Sequence, residues 1–106
     1  MAQTKEVRKF LPLTEATSYI LLALDEPLHG YGVMQKIDRL SEGTVSVGPG
    51  TLYGAFTTLE RDGLIAKIGD EERRKIFGLT TFGRQVLQAQ IHRLAILVRN
   101  AQKIGE

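Results

Sequence analysis

The chain of 106 residues has no cysteine. Disulfides, thiolate catalysis and cysteine-ligated zinc are therefore excluded. It has no long apolar run either. The longest, Tyr19–Leu24, falls far short of the roughly 20 residues that span a bilayer, so no membrane partner is expected. The N-terminus lacks the apolar core of a secretory signal, and the expected compartment is the cytoplasm. Histidine is scarce, with His29 and His92 alone and no HExxH-type spacing around them. No metal is expected on that ground, and no cofactor is expected either. His29 reads as a residue that caps or packs at a helix start, and His92 as a solvated helix residue. An excess of one sign of charge is nearly absent as well, with 14 Lys and Arg against 12 Asp and Glu and a formal net charge of only +2. That value permits nucleic-acid binding without requiring it. Its distribution says more, because basic residues gather at Lys5, Arg8 and Lys9 and again at Arg84, Arg93, Arg99 and Lys103.

What is present is a soluble, globular composition, 42% hydrophobic and 25% charged, in a chain of one-domain length. So short a chain buries a modest share of its surface, and a partner subunit would add stability. Residues 1–12 read as a polar, basic arm, either loose or forming a short helix that ends before Pro12. Thr14 is a candidate N-cap for a helix over Glu15–Leu24. That helix is apolar nearly all round, which predicts burial on every side. One face would meet its own core, and Tyr19, Ile20 and Ala23 would meet a second subunit.

A second helix starts at His29 or Gly30. Val33, Met34, Ile37 and Leu40 recur at helical spacing as its inner face, with Gln35, Lys36 and Arg39 pointing away. Gly43 is expected at the C′ position, and Thr44–Val47 as an extended connection. The stretch GPGTLYGAFTTLERDGLI, residues 48–65, opens a third helix with Gly48 as N-cap and Pro49 as first residue. Leu52, Ala55, Phe56 and Leu59 converge on one side. Gly50, Gly54, Thr57 and Arg61 lie opposite, with Tyr53 and Thr58 on the flanks. A glycine inside a helix costs about 1 kcal/mol relative to alanine. Two glycines on one face permit close approach of another backbone, as a groove of DNA would require; a tolerated surface glycine is the plainer alternative.

Two short strands, Leu64–Gly69 and Lys75–Leu79, are expected around GDEERR, with Phe77 and Leu79 facing inward. Thr80 caps a last helix, Thr81 to about Gln102. Leu87, Ile91, Leu94, Val98 and Ala101 alternate by four and three along it, a heptad-like seam widened by Leu97 and Ile104. Such a helix is too long for the domain to cover, which directs its seam to a second copy. The fold class is mainly α with a small β-hairpin: a winged helix-turn-helix over 13–80, a dimerisation helix over 81–104 and the arm over 1–12.

Four pieces carry a family resemblance: LTEATSYILLAL, PLHGYGVMQKI, GPGTLYGAFTTLERDGLI and RRKIFGLTTFGR, in this order and spacing. Together they closely resemble the PadR family of bacterial transcriptional regulators, in its short form with one C-terminal helix. The resemblance implies a cytoplasmic homodimeric winged-helix repressor on a pseudo-palindromic double-stranded operator, often with ATGT and ACAT half-sites. It implies a recognition helix in the major groove, a wing on the backbone or minor groove and, in several members, release by a small aromatic or drug-like effector near the dimer interface. Departures are visible. Gly48 stands where the family often has serine. Glu72 precedes Arg73-Arg74, Ile76-Phe77 replaces an aromatic pair, and no tryptophan is present to stack on a drug.

The residues expected to touch DNA are Tyr31, Lys36, Gly50, Thr51, Tyr53, Gly54, Thr57, Thr58, Arg61, Arg73, Arg74 and Lys75. The tyrosines would meet phosphates, the threonines bases or thymine methyls, and the cations the backbone. Arg39 is equally suited to pairing with a surface acid. The dimer interface is expected from Tyr19, Ile20, Ala23, Leu87, Ile91, Leu94, Val98 and Ala101. An effector pocket would draw on Tyr19, Ala23, Leu87, Ile91, Leu94 and Val98, against the alternative of a closed seam. The glycines at 48, 50 and 54 resemble a nucleotide-binding turn with the third glycine misplaced by one, in a chain too short for that fold, so no enzyme is expected. The alternative function is a winged-helix protein-interaction module that touches no DNA, motivated by the mixed-charge wing.

Overall fold

Among the described residues, hydroxyl side chains set three of the five helix starts. Thr4, Thr14 and Thr80 each accept an amide three residues on, from Val7, Thr17 and Gly83. In a computed structural model, which describes residues 4–105, the order is α1 (Lys5–Arg8), α2 (Glu15–Ala23), α3 (Gly30–Leu40), α4 (Pro49–Arg61), β1 (Ile65–Glu71), β2 (Arg74–Leu79) and α5 (Thr81–Ala101). Residues 1–3 of the expected arm, and Glu106, lie outside the described residues. The rest of the arm is docked. Val7 is buried, and Phe10 meets Phe82 of α5 edge-on at 5.7 Å. Of the two forms the sequence allowed, the short helix is the one observed.

α2 lies at the centre, against α3 and α5. Ile20, Leu21, Ala23 and Leu24 meet Val33 and Ile37 of α3, Leu52 and Phe56 of α4, Leu64 and Ile65 at the start of the hairpin, and Val86 of α5 in one core. Leu40, expected on the inner face of α3, is exposed at the helix end. Ser41 is buried in its place, donating to Val45 O at 3.1 Å and accepting the Val45 amide at 3.0 Å. The C-terminus of α3 closes with Glu42, not Gly43, as first left-handed residue (φ 54°), and the Gly43 amide reaches Asp38 O at 2.9 Å. α4 closes on Gly63 at φ 81°.

Gly83 has the least room of the glycines in the described residues. A β-carbon there would stand 1.9 Å from Leu64 O, so the first turn of α5 rests directly on backbone. Thr80 completes that junction, its hydroxyl 2.6 Å from Gly63 O and its amide donating to Leu64 O at 3.1 Å. Further along α5, the buried Gln90 holds both the amide and the carbonyl of Leu13 at 3.0 Å. From Ile91 through Ala101 every residue of α5 is exposed.

The hairpin departs from the expected strands. The ladder runs two residues further, pairing Asp70 with Lys75 and Glu71 with Arg74 around a slip between Lys67 and Gly69. The loop shrinks to Glu72 and Arg73, both left-handed at φ 51° and 67°. Opposite charges stand at these facing positions, but the side chains turn elsewhere: Asp70 meets Lys67 at 3.2 Å and Arg74 lies 3.2 Å from His29. The last two rungs close a tight turn although the sequence offers neither glycine nor asparagine there. At its base the wing is pinned to the segment before α3. Leu28 and Phe77 exchange both backbone hydrogen bonds, at 3.0 and 2.9 Å.

Candidate nucleic-acid interface

Periodicity in α4 buries Leu52, Phe56 and Leu59 and turns the opposite side to solvent. On that side a β-carbon at Gly50 or Gly54 would have no atom within 4 Å. Thr51, Thr57 and Thr58 are exposed. The Thr57 hydroxyl donates to Tyr53 O at 3.0 Å, which leaves its oxygen as acceptor and its methyl free. Arg61 lies 3.5 Å from Asp62 with its side chain mostly in water. Gly48 makes no side-chain cap, so the amides at the start of α4 are open.

Tyr53 stands at the joint between α4 and α3. Its ring meets Phe56 edge-on at 6.0 Å and its hydroxyl lies over Gly30, where a β-carbon would approach to 2.6 Å. Half of Tyr53 remains exposed, as does half of Tyr31 on the first turn of α3. Together with His29, Gly30, Met34, Pro49 and the wing residues Arg73, Arg74 and Lys75 they line an open depression of about 500 Å³. Tyr31, Tyr53, Arg73, Arg74 and Lys75, expected from the sequence at separate places, are thus brought together here. Gly50, Thr51, Gly54, Thr57, Thr58 and Arg61 run along the neighbouring face of α4.

Lys36 does not join them. Its ammonium lies 2.6 Å from Asp25 and 3.0 Å from Glu26, and its side chain is only 12% exposed. Burial works against the charge, but the hydrogen bonds and charges of the two carboxylates outweigh it and hold the pKa above the ordinary lysine value. A cation so engaged is not free for a phosphate, and the expectation for Lys36 is corrected. The interface expectation is corrected too. Ile20, Ala23 and Leu87 are 1%, 0% and 6% exposed within the single chain, because α2 is covered by α3 and α5. Ala23 and Leu87 are lost to any effector pocket for the same reason. Tyr19 is half-buried against the core, while Ile91, Leu94, Val98 and Ala101 are exposed, joined by Leu97 and Ile104. The sequence reading missed His29 and Gly30 as parts of the depression. The HGYG run held the signal, since a histidine N-cap sends a ring out of the helix start.

A family model described as the transcriptional regulator PadR-like family matches residues 20–89, about two thirds of the chain. The chain belongs to this family. A PadR-like protein is a transcriptional regulator and not an enzyme. Among curated proteins, an uncharacterized 37.1 kDa protein in transposon TN4556 of Streptomyces fradiae is 38% identical over 84 residues. The match covers 78% of this chain and 24% of that protein, so the chain spans about a quarter of the relative's length. Among solved structures, a PadR family transcriptional regulator from Eggerthella lenta is 26% identical with a TM-score of 0.66, over 94% of this chain and 81% of that one. A transcriptional regulator from Clostridium thermocellum shares the fold with a TM-score of 0.69 at 21% identity, over 97% of this chain and all of the other. The winged-helix architecture with its long last helix is the PadR-like one.

Proposed function

We propose that this PadR-like regulator is a homodimeric repressor that reads a pseudo-palindromic operator with α4 in the major groove. The observation that carries this reading is the outer face of α4. It is smooth at Gly50 and Gly54, carries Arg61 with the exposed Glu60 at its border, and is flanked by Tyr31, Tyr53 and the basic wing. A helix with that face fits closely between phosphate backbones and reads shape and thymine methyls more than charge. The exposed apolar stripe of α5 supports dimerisation, since Ile91, Leu94, Leu97, Val98 and Ile104 are left in water by the single chain. In this reading residues 13–80 bind DNA and residues 81–104 align the two copies. A small aromatic effector would enter the same seam beside Tyr19, Ile91, Leu94 and Val98 and shift the spacing of the two α4 helices. Winged-helix domains reach half-sites about 34 Å apart only when paired, which makes dimer geometry the natural point of control.

A gel shift against the region upstream of the protein's own gene tests the proposal. Wild type is expected to give salt-sensitive, sequence-preferring binding. Gly54→Glu should abolish it with the fold intact, because the new side chain meets nothing in the protein and would stand in the groove. Unchanged affinity of Gly54→Glu would show that α4 does not face DNA through this side.

A further inference from the structure

His29 Nδ1 accepts the Gly32 amide at 3.1 Å and caps α3. A neutral imidazole that accepts at Nδ1 carries its proton on Nε2. Nε2 lies 3.2 Å from Arg74 Nη1, and a guanidinium only donates. The two groups are therefore facing donors, and the contact is no hydrogen bond while the Gly32 cap holds. The Leu28–Phe77 bridge fixes this meeting, since it locks the residue before His29 to the strand that carries Arg74. Two donors held together in this way call for an acceptor that both can reach. No carboxylate is among the residues lining the depression around them; Tyr31, Tyr53 and Lys75 add hydroxyls and a further cation. The chemistry that fits is an oxyanion.

We propose that His29 Nε2–H and Arg74 together hold one phosphate of the DNA backbone, so that the imidazole ties the wing to the start of α3 in the bound state. The proposal rests on the DNA-binding reading above and adds to it a contact residue, His29, whose role is independent of sequence readout. A phosphate oxygen between the two donors removes their conflict and converts it into two charge-assisted hydrogen bonds.

Fluorescence anisotropy with the upstream duplex and with a scrambled duplex of equal length tests it, on wild type, His29→Asn, His29→Ser, Arg74→Gln and the pair His29→Asn/Arg74→Gln. Asparagine and serine both keep an N-cap acceptor for Gly32, so the fold is retained, and thermal melting checks this. Both His29 variants should weaken binding to the two duplexes by the same factor, about tenfold or more. Arg74→Gln should in addition flatten the salt dependence. In the double variant the two losses should be less than multiplicative, because they share one phosphate. If wild type binds but the His29 variants bind equally well, the inference fails and the DNA-binding reading stands. If wild type binds neither duplex, both fail. Inorganic phosphate, followed by nitrogen NMR of the His29 ring, separates the two sources of an oxyanion. Weak, non-saturating shifts are expected for a site that takes one phosphodiester among many. Tight saturation that displaces duplex would overturn the backbone assignment in favour of a free anionic effector.

Discussion

Gly30 and Tyr53 form one unit. The absent β-carbon of Gly30 is what lets the Tyr53 hydroxyl lie over the start of α3. Gly30→Ala should displace an exposed ring tip and little else. Its melting temperature should stay within a few degrees of wild type, while DNA affinity falls about tenfold through loss of the phenol contact. Parallel melting and anisotropy measurements check the split. Lys36 is the opposite case. Its partners Asp25 and Glu26 are more than half exposed, so the cluster stabilises by less than about 1 kcal/mol. Because the lysine pKa is raised in the folded chain, that contribution is complete at neutral pH and is lost only in alkaline solution, as pH rises through the folded value. Lys36→Ala should lower stability by up to that amount in urea titration and leave DNA affinity and its salt dependence unchanged. A matching loss of affinity would return Lys36 to the interface. Such distinctions mark where residue-level reading ends. The caps at Thr14 and Thr80 and the open glycines of α4 were legible because their causes lie within four residues. The engagement of Lys36 was not, since its partners lie ten and eleven positions back and meet it only in the folded chain.

At the scale of elements, helical periodicity and capping residues placed α2 to α5 to within a residue or two. The hairpin was legible as a hairpin, but its turn was not. Glu72 and Arg73 are poor candidates for left-handed backbone, and only the cross-strand pairing of Asp70 with Lys75 and Glu71 with Arg74 draws them into it. Each left-handed residue costs roughly 1 kcal/mol over glycine. Glu72→Asn with Arg73→Gly should therefore stabilise the protein by about 1 kcal/mol, read as a raised urea midpoint with an unchanged slope. The same pair of changes removes the Arg73 cation and the Glu72 anion, leaving the net charge unchanged, so any loss of binding should be equal for all sequences and come from the lost Arg73 contact alone. A lowered midpoint would mean that the turn conformation is set by something other than the ladder. For α2, apolar residues on every side predicted burial on every side, which holds for Ile20, Leu21, Ala23 and Leu24 while Leu22 stays 36% exposed, and Ile20 and Ala23 were assigned to the wrong partner. The chain's own α3 and α5 cover Ile20 and Ala23. Periodicity reports that a face is covered and is silent on which chain covers it.

At the scale of the whole molecule, charge and shape are divided between parts. With Lys36 engaged, phosphate neutralisation in the proposed complex would fall to Arg61, Arg73, Arg74 and Lys75, about four cations per chain and eight per proposed dimer. That bounds the slope of log affinity against log salt at roughly −7. In the proposed dimer, alignment of the two weakly charged readers would fall to the exposed stripe of α5, continued by Ile104, which is 85% exposed. One measurement tests this division most directly: an anisotropy titration of the upstream duplex, repeated over a range of salt concentrations, with stoichiometry taken at saturation. We expect two chains per duplex, preference over a scrambled duplex, and a negative slope no steeper than about −7. Absence of salt-sensitive, sequence-preferring binding at micromolar protein, or saturation at one chain per duplex, would contradict a dimeric operator-binding regulator.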